Sequence, residues 1–111
     1  MNIEPIEVPG CKATTVHELL MDEGIQVLKV EVAPGGEIPL HSHKCAATMV
    51  ITKGTARTLG KDARAVSAGD IVIKSRNEPH GFTGVTQQFE FISISDREGI
   101  MRPDFWDLNY L

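Results

Sequence analysis

The sequence predicts an all-β sandwich or barrel, on three observations. Short apolar runs recur at regular spacing along the 111 residues. Gly, Pro and Asp separate them, and β-branched residues fill several of them. Residues 15–21 (TVHELLM) are the one good helical candidate, about two turns long. Residues 25–32 set Leu28, Val30 and Val32 on one face against Lys29 and Glu31 on the other, a strand pattern that Pro34-Gly35-Gly36 ends. Residues 48–52 (TMVIT) form the next strand, interrupted by Lys53-Gly54, and residues 55–59 follow. Gly60-Lys61 suits a two-residue hairpin, because its first position needs positive φ, with 63–66 as the return strand. Gly69-Asp70 makes another turn before a strand at 71–74, and Asp70 reads as a turn stabiliser. Asn77-Glu78-Pro79 breaks the chain ahead of His80. The last clear strand is 87–95 (QQFEFISIS), whose alternation changes face midway, the mark of a bulge or of burial on both sides.

The length supports one domain with its own core. Apolar residues at 41% and charged residues at 23% are an ordinary globular balance. The net charge of −4 is spread along the chain with no basic stripe, so nucleic acid is not an expected partner. No apolar run reaches bilayer length, and residues 1–5 lack a basic start and a hydrophobic stretch, so neither a membrane span nor a signal peptide is expected. Two cysteines, Cys11 and Cys45, are too few for a disulfide-stapled secreted domain, and we read the chain as cytoplasmic with reduced thiols.

The chemistry concentrates in the histidines. His41-Ser42-His43 sits in a strand-like context, where residues two apart point the same way, so both imidazoles can reach one metal at about 2.0–2.1 Å. His80, held behind Pro79, is the candidate third ligand. A lone H-x-H in a strand is more often ordinary surface or core. The third histidine and the flanking turns shift the reading to a divalent metal site with open positions. Imidazole ligation depends on the neutral ring, so metal release is expected below about pH 6 from the reference pKa of about 6.5.

These segments resemble the cupin superfamily. The first family motif is met by Gly35, His41, His43 and Gly54 at the family's spacings (GGEIPLHSHKCAATMVITKG). The second is met by Gly69, Asp70, Pro79 and His80 (GDIVIKSRNEPHGF). The departures are informative. Ala47 stands where the family carries its acidic ligand, Ser75 replaces a proline, Asn77 a glycine and Gly84 an asparagine. The resemblance implies a small double-stranded β-helix, a jelly-roll barrel in one domain over 1–111. The aromatic stretch Phe105–Leu111 suits a tail over 96–111 that packs on the barrel or on a partner, and the core strands that the resemblance implies would span about 24–95. The resemblance also implies a homodimer, and one divalent ion (iron, zinc, nickel or manganese) on His41, His43 and His80 with no carboxylate. Three-histidine members include thiol dioxygenases and diketone-cleaving enzymes, whereas other members have lost metal.

Cys45, Ala47, Met49 and Ile51 share the parity of His43 and are expected in or near the pocket if the strand runs unbroken. Cys45 is a candidate soft fourth ligand or else a small buried thiol. Met49 and Ile51 would line an apolar interior. Ala47 would turn its methyl to the metal. Arg57 reads as an exposed hairpin residue and His17 as solvated surface. Glu37 and Glu78 are expected to face solvent, so no general base stands beside the histidines. That favours metal-centred oxygen chemistry, a small oxygenase or dioxygenase acting on a small oxygen- or thiol-bearing molecule. The alternative is a non-enzymatic module that binds or senses a small ligand.

Overall fold

A computed structural model describes residues 4–97, 99–102 and 104–111. Residues 1–3, part of the stretch read above as carrying no leader signature, lie outside it, as do Glu98 and Pro103. In chain order the strands are β1 (Ile6–Glu7), β2 (Lys12–Asp22), β3 (Ile25–Ser42), β4 (Ala47–Lys53), β5 (Thr55–Gly60) and β6 (Ala65–Ser67). They continue with β7 (Ile71–Lys74), β8 (His80–Thr83), β9 (Phe89–Ser95), β10 (Met101–Arg102), β11 (Phe105–Trp106) and β12 (Asn109–Tyr110). No helix occurs among the described residues. Ten strands make one curled antiparallel sheet whose main path is β6-β5-β8-β3-β9-β4-β7.

The long strand β3 holds the two halves of the barrel together. Its first part pairs with β2 and β9, and its last residues pair with β8 and β12. Pro34-Gly35-Gly36 therefore does not end a strand, contrary to the sequence reading. It is the corner at which one strand passes between the two halves, and Gly35 supplies a φ of +80° there. The helix expected over 15–21 is also absent. Those residues belong to β2, which runs beside β3 from Lys12↔Glu37 to Asp22↔Ile25. The Thr-Thr-Val start buries Thr14 and Val16, and cross-strand pairing outweighs the helix propensity of Glu-Leu-Leu-Met.

Gly60-Lys61 is not a two-residue hairpin. Gly60 ends β5 opposite His80 and the connection occupies 61–64, because Thr58 Oγ1 accepts the Arg64 N–H at 2.9 Å and widens the turn. Asp70 does stabilise its turn, accepting the Ser67 N–H at 2.8 Å. In β9 the alternation never changes face. Phe89, Phe91, Ser93 and Ser95 all point inward, and Ile94 is exposed. The inner face is anchored by Phe82, Phe89 and Phe91, whose ring centroids lie 5.0–5.7 Å apart, packed with Val32 and Ile51.

The C-terminal tail returns to the barrel. β12 pairs with β3 at Asn109↔Ser42 and Tyr110↔His41. Gln26, fully buried, fastens the tail's start. Its Oε1 accepts the Ile100 and Met101 N–H groups at 2.9 and 3.0 Å, and its Nε2 donates to Met101 O at 2.6 Å. Gln26→Leu would leave those backbone groups unpaired in the interior. It is expected to cost about 2–4 kcal/mol and to speed exchange of the Ile100 and Met101 amides, read by thermal melts and hydrogen exchange.

Candidate metal centre

His41 lies on β3 and is the Cα partner of His80 on β8. His43 follows just past the end of β3, where its carbonyl accepts the Asn77 N–H at 2.9 Å. All three rings are buried, at 5%, 1% and 4% exposure. One ring nitrogen from each lies within 4.8 Å of the others. Ring centroids are 4.4 Å apart for His41 and His80, 4.7 Å for His43 and His80, and 5.6 Å for His41 and His43.

Each Nδ1 meets a backbone carbonyl two residues away. His41 donates to Pro39 O at 2.9 Å, His43 to Cys45 O at 3.0 Å and His80 to Glu78 O at 2.8 Å. A carbonyl only accepts, so each Nδ1 carries the proton and each Nε2 keeps its lone pair free. Burial then holds the rings neutral. It pushes His80 down to about 3, with His41 beside it adding to the effect. It also lowers His41 and His43, against the opposing pull of the Pro39 and Cys45 carbonyls. Three neutral nitrogen donors with fixed tautomers fit a divalent first-row cation and leave further coordination positions open. Among the described residues no carboxylate or thiolate joins the three.

Lowered pKa values for the free rings favour metal retention to a lower pH than the value of about 6 expected from free imidazole. The folded protein resists protonation at these rings to a lower pH than free imidazole does. The cost falls on stability instead. Between the unfolded value of about 6.5 and the lowered folded values, the unfolded chain binds more protons than the native one. Stability is therefore full above about pH 6.5 and is lost as pH falls toward the folded values. The melting temperature of metal-free protein is expected to drop steadily from pH 6.5 to pH 4.5, and a flat profile would contradict the buried neutral triad.

Beside the triad lies a cavity of about 60 Å³. Its walls include Leu28 and Val30 of β3, Met49 of β4, Phe82 of β8 and Phe91 and Ser93 of β9. Ile100, Trp106 and Leu108 of the tail and Val8 and Cys11 near the N-terminus complete its walls, which leave it partly open to solvent. The two terminal segments are joined there, since Tyr110 donates to Pro9 O and lies 3.3 Å from the Cys11 sulfur.

Of the four interior residues expected in the pocket, only Met49 borders this cavity. Cys45, Ala47 and Ile51 are buried but form no part of its walls. The chain leaves the sheet between His43 and Ala47, so shared parity does not mean a shared level. Cys45 Sγ contacts His43 Nδ1 at 3.3 Å, on the side of the ring opposite the free nitrogen. Burial raises its pKa and keeps it a thiol, which makes it a support for His43 and not a ligand. Ala47 pairs with Lys74 on one side and Ser95 on the other. Ile51 belongs to the hydrophobic cluster.

Arg57 is exposed as expected. Glu78 is only half-buried, but it organises the site. Its carbonyl holds His80, and its carboxylate accepts the Ser75 N–H at 2.9 Å and pairs with the buried Lys74 at 3.4 Å. The Ser75 N–H is the chief reason its carboxyl lies below the usual range. Sequence reasoning missed Ser93, whereas Trp106 and Leu108 belong to the tail expected to cover the barrel or pack on a partner, and they line the cavity. The signal for Ser93 was present, as serine standing at inward positions of an apolar alternation.

Comparison with known proteins agrees with this architecture. The family model described as cupin domain matches residues 28–95. No curated protein matches the chain. Among solved structures, the polyketide cyclase RemF from Streptomyces resistomycificus superposes with a TM-score of 0.78 at 25% identity, covering 99% of this chain and 80% of that one. A cupin-like protein from Thermotoga maritima gives 0.68 at 26% identity, covering 76% and 68%. A predicted oxalate decarboxylase from Thermotoga maritima shares the fold, with 0.74 at 20% identity over 85% and 90%. The matched segment holds both histidine motifs and most of the barrel strands, and the chain belongs to the cupin family.

Proposed function

We propose that the chain is a mononuclear metal-dependent oxygenase acting on a small molecule, with His41, His43 and His80 as the protein ligands. The observation that carries this reading is the set of three buried imidazoles whose ring nitrogens converge within 4.8 Å, each Nδ1 being engaged by a backbone carbonyl so that its Nε2 is the nitrogen left to bind a metal. A divalent cation bound there supplies Lewis acidity toward an oxygen donor and, if it is iron, access to dioxygen chemistry. The chain's own residues bind, orient and exclude water. Three neutral imidazoles add no negative charge, so the donor set favours an anionic or bidentate oxygen ligand. No carboxylate, lysine, arginine or amide side chain lines the cavity among the described residues. With no such group to carry protons, chemistry centred on the metal is favoured over acid–base chemistry.

A redox-neutral reading stands second and is favoured by one observation, the likeness to a polyketide cyclase at 25% identity over nearly the whole chain. Metal analysis of untagged protein, followed by an oxygen electrode with a panel of small enols, phenols and thiols, separates the two. About one iron per chain with substrate-dependent oxygen uptake supports the oxygenase. Zinc with turnover but no oxygen uptake supports the second reading. Metal without turnover of any kind points to a binding module, and no bound divalent ion overturns the metal centre itself.

A further inference from the structure

The cavity walls narrow the kind of molecule that the centre accepts. Next to the histidines they are largely apolar, from Leu28, Val30, Met49, Phe82, Phe91 and the ring of Trp106. Among the described residues no charged side chain and no carboxamide reaches them. Four other side chains with polar atoms line the cavity, one of them Trp106, whose indole carries an N–H donor. The Thr14 hydroxyl is already engaged, donating to Lys12 O at 2.9 Å. The Cys11 sulfur lies against the Tyr110 hydroxyl at 3.3 Å. Ser93 is different. It is 3% exposed, its strand neighbours across the sheet are Leu28 and Met49, and it makes no side-chain hydrogen bond among the described residues. Its hydroxyl borders the cavity with no protein partner among the described residues, so an acceptor or donor on a bound molecule can take that place.

Size adds a second limit. A buried cavity of about 150 Å³ is enough to take up benzene. This cavity is partly open to solvent, and its interior of about 60 Å³ holds only the few non-hydrogen atoms nearest the histidines. Charge on the body of a ligand would be stripped of water against leucine, valine and phenylalanine with nothing to pair it, which is strongly unfavourable. Charge on the atoms facing the three imidazoles is another matter, since a bound cation compensates it there.

We propose that the cavity selects a small molecule with an uncharged, largely apolar body of a few atoms, presented to the three-histidine centre by oxygen and held by a hydrogen bond to Ser93. This inference rests on the metal-centre reading above. It goes further by excluding compact dianions and amino-acid-like ligands as the preferred class, and by making Ser93 a positioning residue.

Two hydroxamates test it on zinc-loaded full-length protein. Acetohydroxamate and glycine hydroxamate carry the same bidentate oxygen donor and differ in the body, a methyl group against an aminomethyl that is protonated at pH 7. Zinc content is first measured for wild type and Ser93→Ala, and each probe is then titrated by calorimetry. Acetohydroxamate is expected to bind at least tenfold more tightly than glycine hydroxamate. Ser93→Ala is expected to weaken acetohydroxamate at least threefold with zinc occupancy unchanged. Equal affinity for the two probes on zinc-loaded protein would overturn the ligand class. Unchanged acetohydroxamate affinity in the serine variant would overturn the role of Ser93. Failure to load zinc or any other divalent ion would overturn the metal centre beneath them, a result distinct from either.

Discussion

His80→Ala is expected to lower divalent-metal affinity by about 100-fold or more. Loss of a residue that merely orients a metal ligand typically costs 10–100-fold, and His80 is placed to be a ligand itself. Its position makes it decisive. His41 and His43 come from one continuous stretch of chain, whereas His80 comes from β8 and closes the site against β3. The variant has a structural cost too, since the Glu78 carbonyl loses the donor that reaches it at 2.8 Å, about 1–3 kcal/mol for a buried unpaired acceptor. Two readouts separate the effects. Metal titration against a competing chelator reads the ligand, and melting against pH reads the ring. Removing the imidazole that burial depresses most should flatten the loss of stability below pH 6.5 while metal binding collapses. Unchanged affinity in a folded His80→Ala protein would remove this histidine from the centre.

Gly81→Ala is expected to damage fold and site together. Gly81 is buried between His80 and Phe82, where β8 crosses the irregularity that β3 carries between Ile38 and His41. Its φ is not in the left-handed region, so space and not conformation is the constraint. An added methyl would run into the Ile38 carbonyl and lie 3.0 Å from the Pro39 backbone. Backbone cannot turn aside as a side chain can, so β8 must move off β3. Overpacking of this kind costs about 1–3 kcal/mol. His41 and His80 are paired across that same crossing with ring centroids 4.4 Å apart, so the displacement also spreads the donors, and metal affinity should fall at least tenfold. Gly24→Ala is the control. Its φ is +75° with nothing within 4 Å, so it should cost about 1 kcal/mol in stability and leave metal affinity unchanged. Equal metal affinity in folded Gly81→Ala and wild type would show that the β3–β8 spacing does not set the triad.

Features determined by short-range pattern were legible. Turn chemistry marked the corners at Gly35 and Asp70, although the first proved to be a bend within one strand. The inward alternation of Leu28, Val30 and Val32 was readable because a strand's period is two whatever surrounds it. Residues 15–21 were misread because local propensity favoured a helix, whereas pairing with β3 decided a strand. Parity also overreached beyond His43. It identified Cys45, Ala47 and Ile51 as buried residues, but it carries no information about the level at which each sits in the barrel.

The sequence by itself determined the residue types of the centre, the all-β class, the family and the absence of a carboxylate at position 47. Those follow from spacing along the chain, and spacing is a one-dimensional property. Only the tertiary structure decided which nitrogen of each histidine is free, because that depends on where the Pro39, Cys45 and Glu78 carbonyls fall. It also decided that Cys45 stands behind His43, and that Ser93 and the tail's Trp106 and Leu108 wall the cavity. Ser93 is 50 positions from His43 in sequence, and Trp106 is farther still. Contacts across such separations are set by the curl of the sheet and the return of the tail to β3, which no local pattern encodes.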